Sequence, residues 1–306
     1  MLPSRAFVRV SAVLTASLAS MAGATTTIDT VSIGYIGNIS DATTGYGSVG
    51  YQYAIGKYEV TNAQYAAFLN AVAATDTLGL YNTNMSGSYG GITRSGTAGS
   101  YTYATVSGRE NAAVVYTDFY DACRFTNWLH NGQLTGAAGA ASTETGSYTM
   151  STGAYVTRNA GATWVLPSEN EWYKAAYYQQ VTQGGDADSY WLYGTSTNTI
   201  QNSWANYGGS GFGRTRNVGS YGANFFGLYD MAGNASEFTD TIDGTGRIMR
   251  GGHFGYGAST LESTNRGSAN PTNEYLAWGF RVALVPGPGG AALLVLGALG
   301  ARRRRN

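Results

Sequence analysis

The sequence contains very little cysteine, histidine and charge, and each shortage excludes a class of chemistry. Cys123 is the only cysteine among 306 residues, so the chain can form no intramolecular disulfide and no site that needs two thiolates. Histidine occurs only at His130 and His253, which excludes a three-histidine zinc site built from this chain alone. Charged residues make up 12% of the chain, and its 18 basic and 18 acidic side chains give no net field that would attract nucleic acid.

Glycine and aromatic residues are abundant instead. The 44 glycines and 24 tyrosines favour turns and loops that carry hydroxyl-bearing rings, rather than long solvated helices. This composition is typical of an extracellular protein. Hydrophobic residues reach 43%, which is enough for a packed core, and the length favours one large domain.

The N-terminus has the pattern of a secretory signal peptide. Arg5 and Arg9 precede an apolar run over residues 10–21, and small residues ending at Ala24 follow it. We predict export, with cleavage by signal peptidase after Ala24 and a signal peptide over residues 1–24. The alternative is a membrane anchor, but the run is shorter than the roughly 20 residues that span a bilayer.

The C-terminus, residues 285–306, reads "VPGPGGAALLVLGALGARRRRN". A proline-containing turn precedes a short apolar segment at 291–301 and four arginines at 302–305. The positive-inside rule predicts that these arginines remain in the cytoplasm. This arrangement resembles the PEP-CTERM sorting signal, although Gly287 stands where that signal usually has glutamate. The resemblance implies transient inner-membrane anchoring in a Gram-negative bacterium and removal by an exosortase. A permanent C-terminal anchor is the alternative.

Between the two ends, the sequence predicts short strands and long loops around a few helices. Residues 25–54 alternate apolar and polar side chains and break at glycines, so we interpret them as a strand-and-turn segment. The main domain is predicted over residues 55–284. Glycine, asparagine and aromatic residues recur after residue 184 without a helical period, which indicates an irregular, loop-rich second half.

Three helices are predicted from their N-terminal caps and from the spacing of their apolar residues. Two capping boxes, in which paired side chains satisfy free backbone donors, are formed by Thr61 with Gln64 and by Ser168 with Glu171. A further helix is predicted over residues 118–129, ending at an Asn-Gly pair. Cys123 lies inside that helix, where we expect it to be buried as a small apolar residue.

Five sequence blocks, in this order, resemble the formylglycine-generating enzyme family, also called sulfatase-modifying factor. The blocks are "GKYEVTNAQYAAFL" at 56–69, "WVLPSENEWYKAA" at 164–176, "YGANFFGLYDMAGNASEF" at 221–238, "RGGHFGY" at 250–256 and "GFRVA" at 279–283. The resemblance implies an α+β fold of the C-type lectin-like type. Such a fold has low regular secondary structure, with few helices and short strands joined by long loops.

The resemblance also implies an activity whose metal ligands are missing here. Enzymes of that family oxidise a sulfatase cysteine to formylglycine with a copper ion, which is held by two cysteines shortly after the RGG turn. The corresponding residues 253–261 read "HFGYGASTL" and contain no cysteine. Copper(I) is a soft ion that needs thiolates, and hydroxyls beside one imidazole do not replace them. We therefore expect no copper and interpret the protein as noncatalytic.

Calcium is the cofactor that the resemblance still implies, because the residues that match its ligands are present in this sequence. The family has a structural Ca²⁺ at the motif that reads "GNASEF" here, which implies Asn234 and Glu237 as side-chain ligands beside the carbonyls of Gly233 and Ala235. Hard oxygen ligands of this kind suit Ca²⁺. The alternative is that both side chains bond to local backbone in a turn.

His253, Tyr256 and Arg266 are the candidate binding residues, because they fall around the cleft where the family holds its substrate peptide. The alternative for His253 is a core position. We expect a protein displayed at the cell surface or in the extracellular polysaccharide matrix, where it binds a glycan or an envelope protein. An active formylglycine-generating oxidase and a purely structural matrix protein remain the alternatives.

Overall fold

The computed structural model describes residues 25–287. The predicted signal peptide at 1–24 lies outside the described residues, as does the predicted sorting signal at 285–306 apart from its first three residues. Among residues 25–287, no helix has both the length and the apolar composition needed to cross a membrane.

The described residues form ten short strands in three sheets. In chain order the strands are β1 (Thr30–Ile33), β2 (Tyr53–Gly56), β3 (Ile92–Ser95), β4 (Thr102–Thr105), β5 (Trp164–Val165), β6 (Ser236–Asp243), β7 (Gly246–Arg250), β8 (Gly267–Ala269), β9 (Trp278–Gly279) and β10 (Ala283–Leu284). The sheet orders are β1-β2-β10-β5, β3-β4 and β8-β7-β6-β9. All neighbours pair antiparallel except β6 and β9, which are parallel.

Three α-helices accompany these sheets: α1 (Asn62–Val72), α2 (Phe119–His130) and α3 (Glu169–Tyr177). Each begins with a capping box, in which the cap and the third helical residue satisfy each other's free backbone N–H. The two boxes predicted from sequence are therefore confirmed, and α2 adds a third between Asp118 and Asp121. The α+β prediction, with few helices, short strands and long loops, is also confirmed.

The core is largely aromatic where α1 packs against α2. Phe68 of α1 lies 5.5 Å from Phe125 and 5.4 Å from Trp128 of α2, measured between ring centroids. Cys123 is fully buried in α2, as predicted, and burial raises the pKa of its thiol well above the usual range. A protonated, inaccessible thiol is neither a nucleophile nor a metal ligand.

The N-terminal segment belongs to the same sheet as the end of the domain. Ile55 pairs with Val31 on one side and with Ala283 on the other, and it is fully buried. The boundary predicted between residues 25–54 and 55–284 therefore falls inside β2. The segment before it is an edge of the domain's own sheet, because β1 supplies backbone hydrogen bonds that β2 needs.

Candidate functional site

A two-glycine turn after β7 directs the chain along the edge of a cleft. Gly251 and Gly252 have φ angles of +91° and +66°, a region that side chains disfavour. A Cβ atom on Gly252 would lie 2.7 Å from the carbonyl oxygen of Thr260. The turn thus requires glycine at position 252, and it positions the following residues 253–256.

The cleft has a volume of about 300 Å³ and lies beside β6 to β9. Its walls combine two aromatic rings with four side chains that are able to form hydrogen bonds: Tyr256, Trp278, Thr260, Asn265, Arg266 and Ser268. Tyr256 is 51% exposed, so much of its ring is available to a ligand. The structure brings together two of the three predicted cleft residues, Tyr256 and Arg266.

His253 does not line the cleft; it supports it. The His253 ring is 3% exposed, and its centroid lies 4.0 Å from that of Tyr256. Its Nδ1 accepts a hydrogen bond from Gly255 N at 3.0 Å, and its buried Nε2 has no partner within the described residues. Burial lowers the pKa of His253 to about 4, so the imidazole is neutral near pH 7. The core alternative for His253 is the one that the structure favours.

Arg266 is fixed in the cleft wall by two carboxylates. Its Nε lies 3.0 Å from Oε1 of Glu169, and its Nη1 lies 3.0 Å from Oδ1 of Asp243. Glu169 is buried at the start of α3 and also pairs with Arg250, whose Nε lies 2.9 Å from the same Oε1. Glu169 thereby links the RGG turn to the cleft, and Arg250 has a structural role.

The predicted calcium ligands have other partners. Oε2 of Glu237 accepts hydrogen bonds from Trp172 Nε1 at 2.7 Å and Arg281 Nε at 2.6 Å, and Oε1 accepts one from Arg281 Nη2 at 2.6 Å. Oδ1 of Asn234 accepts hydrogen bonds from the Asn206 side chain at 3.0 Å and from the backbone N–H of Arg216 at 2.8 Å.

These contacts do not fit a cation held jointly by Asn234 and Glu237, because N–H donors face the oxygens of both side chains and one donor carries a full positive charge. Gly233 and Ala235 were predicted to supply carbonyl ligands. Their backbone N–H groups donate to Gly251 O and to Glu59 Oε1 respectively. In residues 25–287, no group of three or more His, Cys, Asp or Glu side chains is arranged to hold a metal ion.

Sequence reasoning missed Glu59, Glu169 and Trp278. Glu59 is buried and accepts hydrogen bonds from Asn234 and Ala235. Its burial, together with the charges of Asp230 and Glu237, raises its pKa well above the usual range. A signal existed, because Glu59 and Glu169 lie inside two of the resembling blocks and Trp278 directly precedes a third.

Comparison with known proteins identifies the family to which this domain is similar. The family model for the sulfatase-modifying factor enzyme 1-like domain matches residues 45–285. No curated protein is detectably similar in sequence.

Two solved structures share the fold at low sequence identity, and a third is a weaker match. Variable protein 1 of Treponema denticola is 21% identical with a TM-score of 0.57, and the match covers 84% of this chain and 95% of that one. CarF is 22% identical with a TM-score of 0.54, covering 84% and 98%. PvdO of Pseudomonas aeruginosa is 18% identical with a TM-score of 0.48, covering 84% and 90%.

Proposed function

Because this chain belongs to the sulfatase-modifying factor enzyme 1-like family, we propose that it retains a ligand-binding cleft and performs no oxidation there. The first support for the proposal is the absence of cysteine from the cleft. Residues 253–261 contain no cysteine, and the single thiol of the chain, Cys123, is buried in α2. A copper-dependent oxidase needs thiolates at the cleft, and this cleft has hydroxyl, amide and aromatic groups instead.

The ligand class that fits this cleft best is a saccharide. A sugar ring presents apolar faces and hydroxyl edges, which match aromatic walls bordered by hydrogen-bonding side chains. The observation that carries the proposal is the half-exposed ring of Tyr256, which packs on His253 and so offers an ordered platform. Trp278, Asn265 and Ser268 supply further parts of the wall.

Tyr256→Ala tests this assignment. We expect the purified protein to bind neutral oligosaccharides on a glycan array, and we expect the substitution to weaken binding to the best of them at least fivefold, because a stacking contact contributes about 1 kcal/mol. Affinity is measured by isothermal titration calorimetry. The matched control is Tyr155→Ala, which removes a tyrosine that is 72% exposed and does not line the cleft.

Two results would count against the saccharide. If Tyr256→Ala and Tyr155→Ala weaken binding equally, the ligand does not bind in this cleft. An array without signal above background, combined with capture of one envelope protein that Tyr256→Ala abolishes, would assign the cleft to a protein partner instead.

We also propose display outside the cell, at the surface or in the extracellular polysaccharide matrix. The support is the pattern of the two chain ends, which would engage signal peptidase and an exosortase during export. A saccharide ligand is consistent with that location, because such a matrix is rich in polysaccharide.

Finally, we propose that the Arg281 guanidinium, rather than Ca²⁺, balances the charge of Glu237. The support is the pair of 2.6 Å contacts between them. We expect treatment with EGTA to leave the melting temperature of the purified protein unchanged, as measured by circular dichroism. A melting temperature that falls with EGTA and recovers with added calcium, but not magnesium, would restore the calcium assignment.

A further inference from the structure

A second cleft, of about 220 Å³, carries three arginines. Arg109, Arg214 and Arg216 line it together with Phe212, Asn217 and Ser220. Every salt bridge within residues 25–287 involves other basic side chains, so none of these three guanidinium groups has a carboxylate within 4.0 Å. In a chain with no net charge, this is a local and unbalanced concentration of positive charge.

Arg109 forms the inner wall of this basic cleft. It is buried, and its donors bond to uncharged oxygens: Nε to Gly90 O at 3.0 Å, and Nη2 to Tyr89 O at 3.1 Å and to Thr215 Oγ1 at 2.8 Å. Burial, and then the charge of Arg214, lowers the pKa of Arg109 to about 10, so it remains cationic at pH 7. A buried cation without a carboxylate is costly, and an anion that approached it would relieve that cost.

Arg214 and Arg216 form the outer wall, and both contact the same aromatic ring. Their guanidinium carbons lie 5.7 and 4.3 Å from the ring centroid of Phe212. Arg216 Nη1 also donates to Tyr221 Oη at 2.8 Å, and Arg214 Nη1 donates to Ser88 O at 3.4 Å. Contact with the ring holds the planar groups in place, while their remaining N–H donors stay available to an anion.

The acidic residues near this loop in sequence face the backbone. Oε1 of Glu110 accepts a hydrogen bond from Gly108 N at 3.1 Å, and Oδ2 of Asp230 accepts one from Gly219 N at 2.7 Å. Neither carboxylate forms a salt bridge with the three arginines, so the positive charge of the cleft is left for a ligand.

We propose that the basic cleft binds an oxyanion, namely a carboxylate, sulfate or phosphate group. Guanidinium groups donate paired hydrogen bonds in a fork that matches such oxygens. The inference does not depend on saccharide binding in the first cleft. The loop before Phe212 contacts the edge of the first cleft, because Gly208 N donates to Tyr256 O at 2.7 Å.

Calorimetry with defined anions tests the proposal. The purified protein is titrated at constant ionic strength with sodium sulfate, sodium phosphate and an oligogalacturonate, and with a neutral oligosaccharide of equal length as the uncharged control. We expect at least one anion to bind, and we expect Arg214→Gln combined with Arg216→Gln to weaken it at least tenfold. The control, Arg124→Gln, removes one positive charge from α2 outside the cleft, which matches in charge the single substitution Arg214→Gln, and it is expected to change the affinity by less than twofold.

Each outcome decides between named alternatives. Oligogalacturonate that binds more tightly than sulfate or phosphate identifies an acidic polysaccharide as the source of the anion, and the reverse identifies a free ion. The proposal is overturned if no anion binds, or if the double variant and Arg124→Gln weaken anion binding equally. If the double variant loses its near-ultraviolet circular dichroism, Arg214→Gln alone replaces it, because the Arg214 side chain makes a single hydrogen bond of 3.4 Å. An unchanged affinity of Arg214→Gln would then contradict the proposal.

Discussion

Replacing Arg281 with methionine is expected to lower the free energy of unfolding by about 3–5 kcal/mol, because it leaves a buried carboxylate without its cation. The Arg281 and Glu237 side chains are 0% and 1% exposed, and they form two hydrogen bonds of 2.6 Å. Methionine fills much of the same volume, so the loss reports on charge more than on packing. Urea unfolding followed by circular dichroism measures the change.

The control for this prediction is an ion pair near the surface. Arg124 and Glu144 are 16% and 29% exposed, so Arg124→Met is expected to cost less than about 1 kcal/mol. Combining Arg281→Met with Glu237→Leu should recover part of the lost stability, because the orphaned charge is then removed as well. A cost for Arg281→Met no larger than that for Arg124→Met would contradict the account of this pair.

The helices were predictable because their signals are local. Thr61 and Gln64, or Ser168 and Glu171, stand three residues apart and bond to each other's backbone within one turn. Such pairs are readable in sequence without knowledge of the rest of the chain. The fold itself was predicted from the order of the resembling blocks, since strands as short as β9 and β10 carry almost no pattern of their own.

The partners of the charged residues were not predictable in the same way. Glu237 and Arg281 are 44 residues apart, so their spacing in the sequence did not reveal the ion pair, and the resemblance favoured a calcium ion at Glu237 instead. His253 shows the same limit: the sequence puts it in the loop after the RGG turn, but only packing decides whether its ring is exposed in the cleft or buried against Tyr256. Arg109 joins Arg214 from about a hundred residues away, so the basic cleft exists only in the folded chain.

Gly233→Ala is expected to lower the free energy of unfolding by about 2–4 kcal/mol, as the sum of backbone strain and a steric clash. Gly233 has a φ angle of +80°, and a Cβ atom there would lie 2.3 Å from the carbonyl oxygen of Asn206. The contacted atom belongs to the backbone, and Asn206 and Gly233 form a parallel bridge, so neither segment can move aside easily. Urea unfolding measures this change too.

Gly227→Ala separates the two contributions. Gly227 has a similar φ angle of +86°, but no atom lies within 4 Å of the position of its Cβ, so only the strain of about 1–2 kcal/mol applies. Equal losses for the two variants would contradict a clash at Gly233. We expect Gly233→Ala to cost more than Gly227→Ala even when both are measured in EGTA. That result would mean that the close approach to Asn206 explains the glycine at position 233 without a bound metal.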